Sequence, residues 1–374
     1  MSVEFRGRVF LAPLTKGGNL PFRRLCVAHG CDATMGEMAY ARQIVRKSRS
    51  ERALLRRHAD ETCFGVQLAA QKPDEAVAAG RIAVEYGAQW IDINCGCPIH
   101  DVVRRGMGAV LMQKPNALGR LVEAMARELP VPVTVKLRLG WSESTQNVSE
   151  VARIAEESGA AAIAVHGRTR EQRYSRSADW QAVAQVASER SVPVIGNGDL
   201  LTYYETERLW QQSGVASVML GRGALIKPWL FREIAERRSI EPTAEERLAI
   251  YVEFVRYLKE HFRDDDKGRE RALRFLPWHL GFFCRYRPFP RERFEAQSIE
   301  HPLLQTRRDD DADDGELSVL ERLLRDPREA VHARLAEVLW GAGDVEAAIA
   351  AALVLAAEMP PESGEAAEIA TAHG

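Results

Sequence analysis

Eight short apolar, β-rich runs recur as far as residue 220, at residues 9–11, 33–35, 64–68, 90–93, 133–137, 162–165, 194–195 and 217–220. Between most of them lie amphipathic segments with helical spacing, at 74–86, 116–129, 148–158, 179–188 and 203–212, several ending just before a glycine that suits a helix C-cap. Near-continuous apolar strands alternating with helices imply parallel strands covered by helices, and eight such units close most economically into a (β/α)8 barrel, a TIM barrel in architecture. An open, doubly wound sheet is the alternative arrangement of the same units.

In a barrel the residues that follow each strand converge on one mouth. Here they are Pro13-Leu14-Thr15, Gly36-Glu37-Met38, Gln67, Asn94-Cys95-Gly96-Cys97-Pro98, Lys136-Leu137-Arg138, His166-Gly167-Arg168, Asn197-Gly198-Asp199 and Gly221-Arg222-Gly223. Beyond residue 236 the period is helical, with segments at 244–262 and 268–283 followed by a proline-punctuated turn. Three regions are therefore expected: a barrel over 1–236, a smaller all-helical domain over 237–308, and a tail over 309–374. The tail opens on an acidic run at 309–314, which reads as a solvated linker, and continues with helices at 316–324, 328–340 and 345–357. The last two resemble a single helical-repeat hairpin.

No apolar run reaches the roughly 20 residues of a membrane helix, and the first apolar stretch is too short for a secretory signal. A cytoplasmic protein, monomeric and away from membranes, is expected. The six cysteines are scattered, which argues against a disulfide framework, and no second Cys/His pair at zinc spacing accompanies Cys95-x-Cys97, so no metal site is expected. The net charge of −2 hides an asymmetry: residues 309–374 hold 16 acidic and 4 basic residues, 4 − 16 = −12, which leaves −2 + 12 = +10 for residues 1–308. A basic body can bind a polyanion that the whole-chain charge would seem to exclude.

The glycine-bearing segments at 197–199 and 221–223 follow the seventh and eighth strands, where barrels commonly bind a phosphate, and Arg222 can offset its charge. Neither has the G-x-G-x-x-G spacing of a dinucleotide site. A mononucleotide such as FMN fits one phosphate site, with Gln67, Lys136 and His166 placed to contact its ring and ribityl chain, and Lys136 can stabilise the reduced anion. Cys97 lies in a glycine-bearing loop, where a mostly protonated thiol can donate a proton in one positioned step. Cys95 competes for that role, because alternation points both to the same side if the strand continues. Cys26, Cys31, Cys63 and Cys284 read as small buried hydrophobes.

From APLT through GVQLA, DINCGCP, VTVKLRLGW, HGRTREQRYS, NGD and GRGALIKPWLFREI, the chain resembles the dihydrouridine synthases over about residues 8–290. The resemblance implies that Pro13, Leu14, Thr15, Gln67, Lys136, His166, Asn197, Gly198, Asp199, Gly221 and Arg222 contact FMN, and that Cys97 is the catalytic cysteine. It also implies the reaction: NADPH reduces FMN, and a uridine turned out of its stack in tRNA, or in rRNA, accepts hydride at C6 and a proton from Cys97 at C5. Asn94 would hold the uracil edge, and Arg168, Arg170 and Arg173 lie on the following loop, where phosphates would sit. RFLPWHLGFFCRYRPFP and HPLLQTRRDD are similar to the eukaryotic branch acting in the tRNA variable loop; its zinc-finger extension has no counterpart in the sequence.

Two basic segments suit an RNA body. Residues 42–57 carry seven basic residues and one acidic, and residues 267–293 carry eight basic and two acidic, Arg285 and Arg287 among the basic ones. The aromatic residues of the second segment read differently: Phe275, Trp278, Phe282 and Phe283 are expected to form the helical core. The competing functions are a small-molecule FMN oxidoreductase of the dihydroorotate dehydrogenase type, against which the basic helical domain argues, and a non-catalytic RNA-binding protein, against which Cys97, Lys136 and His166 argue.

Overall fold

Among the described residues every pairing between named strands is parallel, as buried, helix-covered strands require. The computed structural model describes residues 3–306 and 317–358. Its strands are β1 (Val9–Leu11), β2 (Thr34–Met35), β3 (Ala39–Tyr40), β4 (Phe64–Ala69), β5 (Trp90–Cys95), β6 (Val133–Arg138), β7 (Ala162–His166), β8 (Val194–Asn197) and β9 (Ser217–Leu220). Their order is β1-β9-β8-β7-β6-β5-β4-β2, and the seam closes where Phe10 bridges Ala33 and the Leu11 N–H donates to the Ala33 carbonyl. The result is a (β/α)8 barrel, not an open sheet. The short β3 strand, which the sequence pattern does not suggest, pairs with the far end of β4.

Inside the barrel, side chains separate into a lower apolar plug and an upper polar layer. Phe5, Phe10 and Trp90 meet edge-on or stacked at the lower end, with Ala162, Ala164 and Ile195 beside them. Trp90 occupies space that Gly65 leaves free: a Cβ on Gly65 would lie 2.1 Å from the indole. The barrel is therefore a packed core below and a cavity only above.

The five amphipathic segments form helices Pro73–Glu85, Pro115–Glu128, Val148–Glu157, Trp180–Glu189 and Tyr203–Ser213. Asp179 and Thr202 accept backbone N–H bonds at two of their N-termini, as short polar caps do. In the helical part, Ala244–Phe262 starts at a Thr243–Glu246 capping box. The expected helix over 268–283 is instead two, Asp266–Ala272 and Leu276–Phe283, because Pro277 has no N–H to donate and is tolerated only in a first turn. The proline-rich turn ends at Pro290, and a further helix, Arg291–Glu300, follows it.

The described part of the expected tail is not a loose appendage. Helices Val319–Arg325, Glu329–Gly341 and Val345–Glu358 pack on Ala244–Phe262 and Leu276–Phe283, so that Leu320, Leu324, Val331, Leu335 and Leu339 share one core with Leu248, Leu280 and Phe283. Arg247 pairs with Glu321 and Arg269 with Glu337 across the same contact. The acidic run at 309–314 lies outside the described residues. Among the described residues no helix is long and apolar enough to cross a membrane. Leu339 is fully buried, so Leu339→Ala is expected to destabilise the helical part by about 2–5 kcal/mol. The effect is read as an earlier thermal transition by circular dichroism, and an unshifted transition would contradict this packing.

Candidate active site

Alternation along parallel strands decides which residues reach the barrel axis. On β5, Ile91, Ile93 and Cys95 face the helices and join the outer core, while Asp92 and Asn94 point inward. Buried polar groups need partners, and here they find one another. Thr134 Oγ1 donates to Asp92 Oδ1 (2.6 Å), Gln67 Nε2 to Asp92 Oδ2 (2.8 Å), and Asn94 Nδ2 to Gln67 Oε1 (2.7 Å). Burial pushes the Asp92 carboxyl up to about 6.

The same chain of contacts separates the two cysteines. Asn94 Oδ1 accepts the backbone N–H groups of Gly96 (3.2 Å) and Cys97 (2.9 Å), a turn that ends the strand and breaks the alternation. Cys95 stays in the outer core, whereas Cys97 turns onto the cavity and is half-buried. The turn is closed behind Cys97 by Gly108, whose φ is +65° and on which a Cβ would lie 2.7 Å from the Cys97 carbonyl oxygen. Burial raises the Cys97 thiol above its ordinary value, while the Arg138 guanidinium acts in the opposite direction.

The cavity holds about 500 Å3, within the usual range for a small-ligand site. Pro13, Leu14, Thr15, Gln67, Asn94, Cys97, Lys136, His166, Asn197, Gly198, Asp199, Gly221 and Arg222, expected at a site from the sequence, all line it. Lys136 Nζ donates to Asn197 Oδ1 (3.0 Å), and Asn197 Nδ2 to the Met219 carbonyl (2.7 Å). Burial, and then Arg138, lower the Lys136 ammonium to about 8. His166 is held well below its ordinary value by burial and by the surrounding cations, so its ring is neutral. Its Nε2 accepts from Arg168 (3.0 Å), which leaves the hydrogen on Nδ1.

Arg168 lies on the loop after β7 and lines the cavity, but its side chain is not exposed. It is fully buried in the wall, donating to Asp199, to the Arg176 carbonyl (2.6 Å) and to His166. Arg170 lies over Trp141 (4.5 Å), outside the cavity lining, and Arg173 is exposed. Arg285 is exposed beside Phe282, whereas Arg287 turns onto the carbonyls of Cys284 and Tyr286. Of the four aromatics expected in the helical core, Phe283 is buried, Phe275 stacks on Phe262, and Trp278 and Phe282 pack against the core while also lining the cavity. Arg138, which the strand ends put at the mouth without a role, lines the cavity, and so do Tyr174 and Leu304, which carried no periodic signal. Tyr174 arrives from the loop after β7 and Leu304 from the 3-10 turn Leu303–Gln305.

Residues 10–304 match the family described as dihydrouridine synthase. The chain belongs to the dihydrouridine synthase family. It is 39% identical over 342 residues to a Homo sapiens protein named tRNA-dihydrouridine(47) synthase (NAD(P)(+))-like, covering 91% of this chain and 51% of that one. A Xenopus tropicalis protein of the same name is 42% identical over 289 residues, 77% of this chain and 45% of its own. A Coprinopsis cinerea tRNA-dihydrouridine(47) synthase is 39% identical over 355 residues, 91% of this chain and 51% of its own. The chain thus spans about half the length of these relatives. A solved structure of histamine dehydrogenase from Rhizobium sp. 4-9 shares the fold, with a TM-score of 0.51 at 13% identity over 67% of this chain and 49% of that one.

The placement of the thiols gives a direct test in this synthase-family barrel. In the native protein iodoacetamide is expected to label Cys97 first, faster as pH rises toward its raised pKa, while Cys95 reacts only after unfolding. Peptide mass spectrometry reads the order, and equal labelling of both would refute the geometry.

Proposed function

We propose that the protein reduces uridine to 5,6-dihydrouridine in tRNA, with FMN in the barrel cavity, NADPH as the reductant and Cys97 as the proton donor. The observation that carries this reading is the convergence of a protonated thiol, a ring of cations and glycine-bearing loops on one cavity. These residues fit FMN. Arg222, 20% exposed and paired with Asp199, with the glycine segment beside it, suits the phosphate. Gln67, Lys136, His166 and Asn197 offer polar groups for the ring and ribityl chain, and Pro13, Leu14, Thr15 and Met219 an edge for packing. FMN, when bound, supplies the hydride that adds to the uracil double bond.

The chain's own residues do the remaining work. The raised Cys97 pKa keeps the thiol protonated at neutral pH, ready to protonate uracil C5, and Arg138 stabilises the thiolate left behind. Asn94 spends its carbonyl oxygen on the Cys97 turn and one amide hydrogen on Gln67; the second amide hydrogen can meet the uracil edge. A stacked base cannot reach this thiol, so the uridine is turned out, at a cost of about a few kcal/mol. Trp278 and Phe282 stand where it would arrive. The RNA body would lie on the two basic segments, 42–57 and 267–293.

The purified protein is expected to be yellow, with about one FMN per chain. Cys97→Ala should keep FMN and its reduction by NADPH but lose dihydrouridine formation by about 10² or more, scored by mass spectrometry of tRNA digests, position 47 first. Colourless protein after FMN reconstitution, or an active Cys97→Ala beside a dead Cys95→Ala, would overturn the reading.

The pH dependence has a definite sign. Lys136 is cationic below its pKa and loses charge as pH rises through about 8, whereas the Cys97 thiol stays protonated past its ordinary range. Turnover should therefore fall on the alkaline side near 8, and Lys136→Arg, which keeps its charge, should move that limb to higher pH. A limb that stays put in Lys136→Arg removes Lys136 as its cause.

A further inference from the structure

The segment after the Arg291–Glu300 helix returns to the barrel mouth at the end where a phosphate would bind. Leu303 is buried and its N–H donates to Glu205 Oε1 (2.9 Å), a carboxylate already held by the Thr202 hydroxyl (2.8 Å). Leu304 lines the cavity. Gln305 Nε2 then donates to Asp199 Oδ2 (2.9 Å) and to the Arg176 carbonyl (2.9 Å). Gln305 lies just beyond the family match, which ends at residue 304.

Asp199 is the point on which this end of the cavity turns. It adopts a left-handed conformation with φ +50°, unusual for a residue with a side chain, and its carboxylate is 1% exposed. Oδ1 accepts from Arg222 (3.0 Å), and Oδ2 from Arg168, the Ala178 N–H (2.8 Å) and Gln305. A carboxylate so enclosed cannot itself meet an anion. It aims cations, and Arg222 is the one that keeps exposure to the cavity, lying over the Tyr174 ring at 4.0 Å. Gln305 adds a neutral donor on the Oδ2 side. It therefore fixes the carboxylate without bringing a third cation to compete with Arg222.

We propose that Gln305, reaching back from the helical part, is a positioning residue for the flavin phosphate: by holding Asp199 it fixes the Arg222 guanidinium that takes the 5′-phosphate of FMN. This rests on the FMN reading above and deepens it. It predicts that Gln305 acts chiefly on the phosphate, because the cation that Asp199 leaves exposed to the cavity is Arg222, whereas Arg168, held by the same carboxylate, is fully buried.

The test compares FMN with riboflavin, which lacks the phosphate, by flavin-fluorescence titration of the full-length apoprotein. Gln305→Met keeps the size and removes the donor; Gln305→Ala removes both. Each is expected to raise the FMN dissociation constant by about fivefold to tenfold, the scale of one ordinary hydrogen bond acting through a relay, and to leave the riboflavin constant unchanged. Loss of a merely structural strap would weaken both ligands in parallel, and that result overturns the proposal, as does an FMN constant that does not move in either variant. Failure of the underlying reading is distinct: the parent protein would then bind neither flavin.

Discussion

Parallel strands closed into a barrel send every second side chain to the axis, where a polar one is buried away from bulk solvent and needs a partner. Below, Phe5, Phe10 and Trp90 fill the space. Above, Asp92, Thr134, Gln67 and Asn94 satisfy each other in a continuous chain of hydrogen bonds. Its last member is the residue that turns Cys97 toward the cavity. The position of the reactive thiol is thus set from the barrel interior, through contacts that would be costly to break where nothing can replace them.

Charge organises the upper cavity. Lys136, Arg138, Arg168 and Arg222 crowd into it, while Asp199 pairs with Arg168 and Arg222 and Asp92 acts on Lys136. Burial first, and then the neighbouring cations, lower Lys136 to about 8 and hold His166 well below its ordinary value. An excess of buried positive charge is unfavourable in itself and is relieved by an anion, which supports the reading of a phosphate-bearing ligand.

The helical part completes the cavity as well as flanking it. Trp278 and Phe282 come from its Leu276–Phe283 helix, and Leu304 and Gln305 from the segment that follows. The helices after residue 317 brace that same Leu276–Phe283 helix from behind. A change in the packing of the distant helices therefore has a short mechanical route to the cavity wall.

Only the Phe10–Ala33 closure excluded an open sheet, but the periodicity of the first 220 residues pointed to parallel strands under helices, because burial on both faces leaves a continuous apolar run, and to a mouth where each run ends. Gln67, Lys136, His166 and Asn197 were legible for that reason. Local pattern failed where a side chain's direction depends on a partner distant in sequence. Alternation placed Cys95 and Cys97 together, and only the Asn94 turn parts them. Arg168 reads as a loop arginine until Asp199 and His166 bury it, and Trp278 and Phe282, which pack on the core as read, reach the cavity only because the helix that carries them docks on the barrel mouth. Gln305, separated from Asp199 by 106 residues, has no sequence signal at all. Strand period is a property of the chain itself, whereas a hydrogen bond between remote residues exists only after the barrel has closed and the helices have folded back against it.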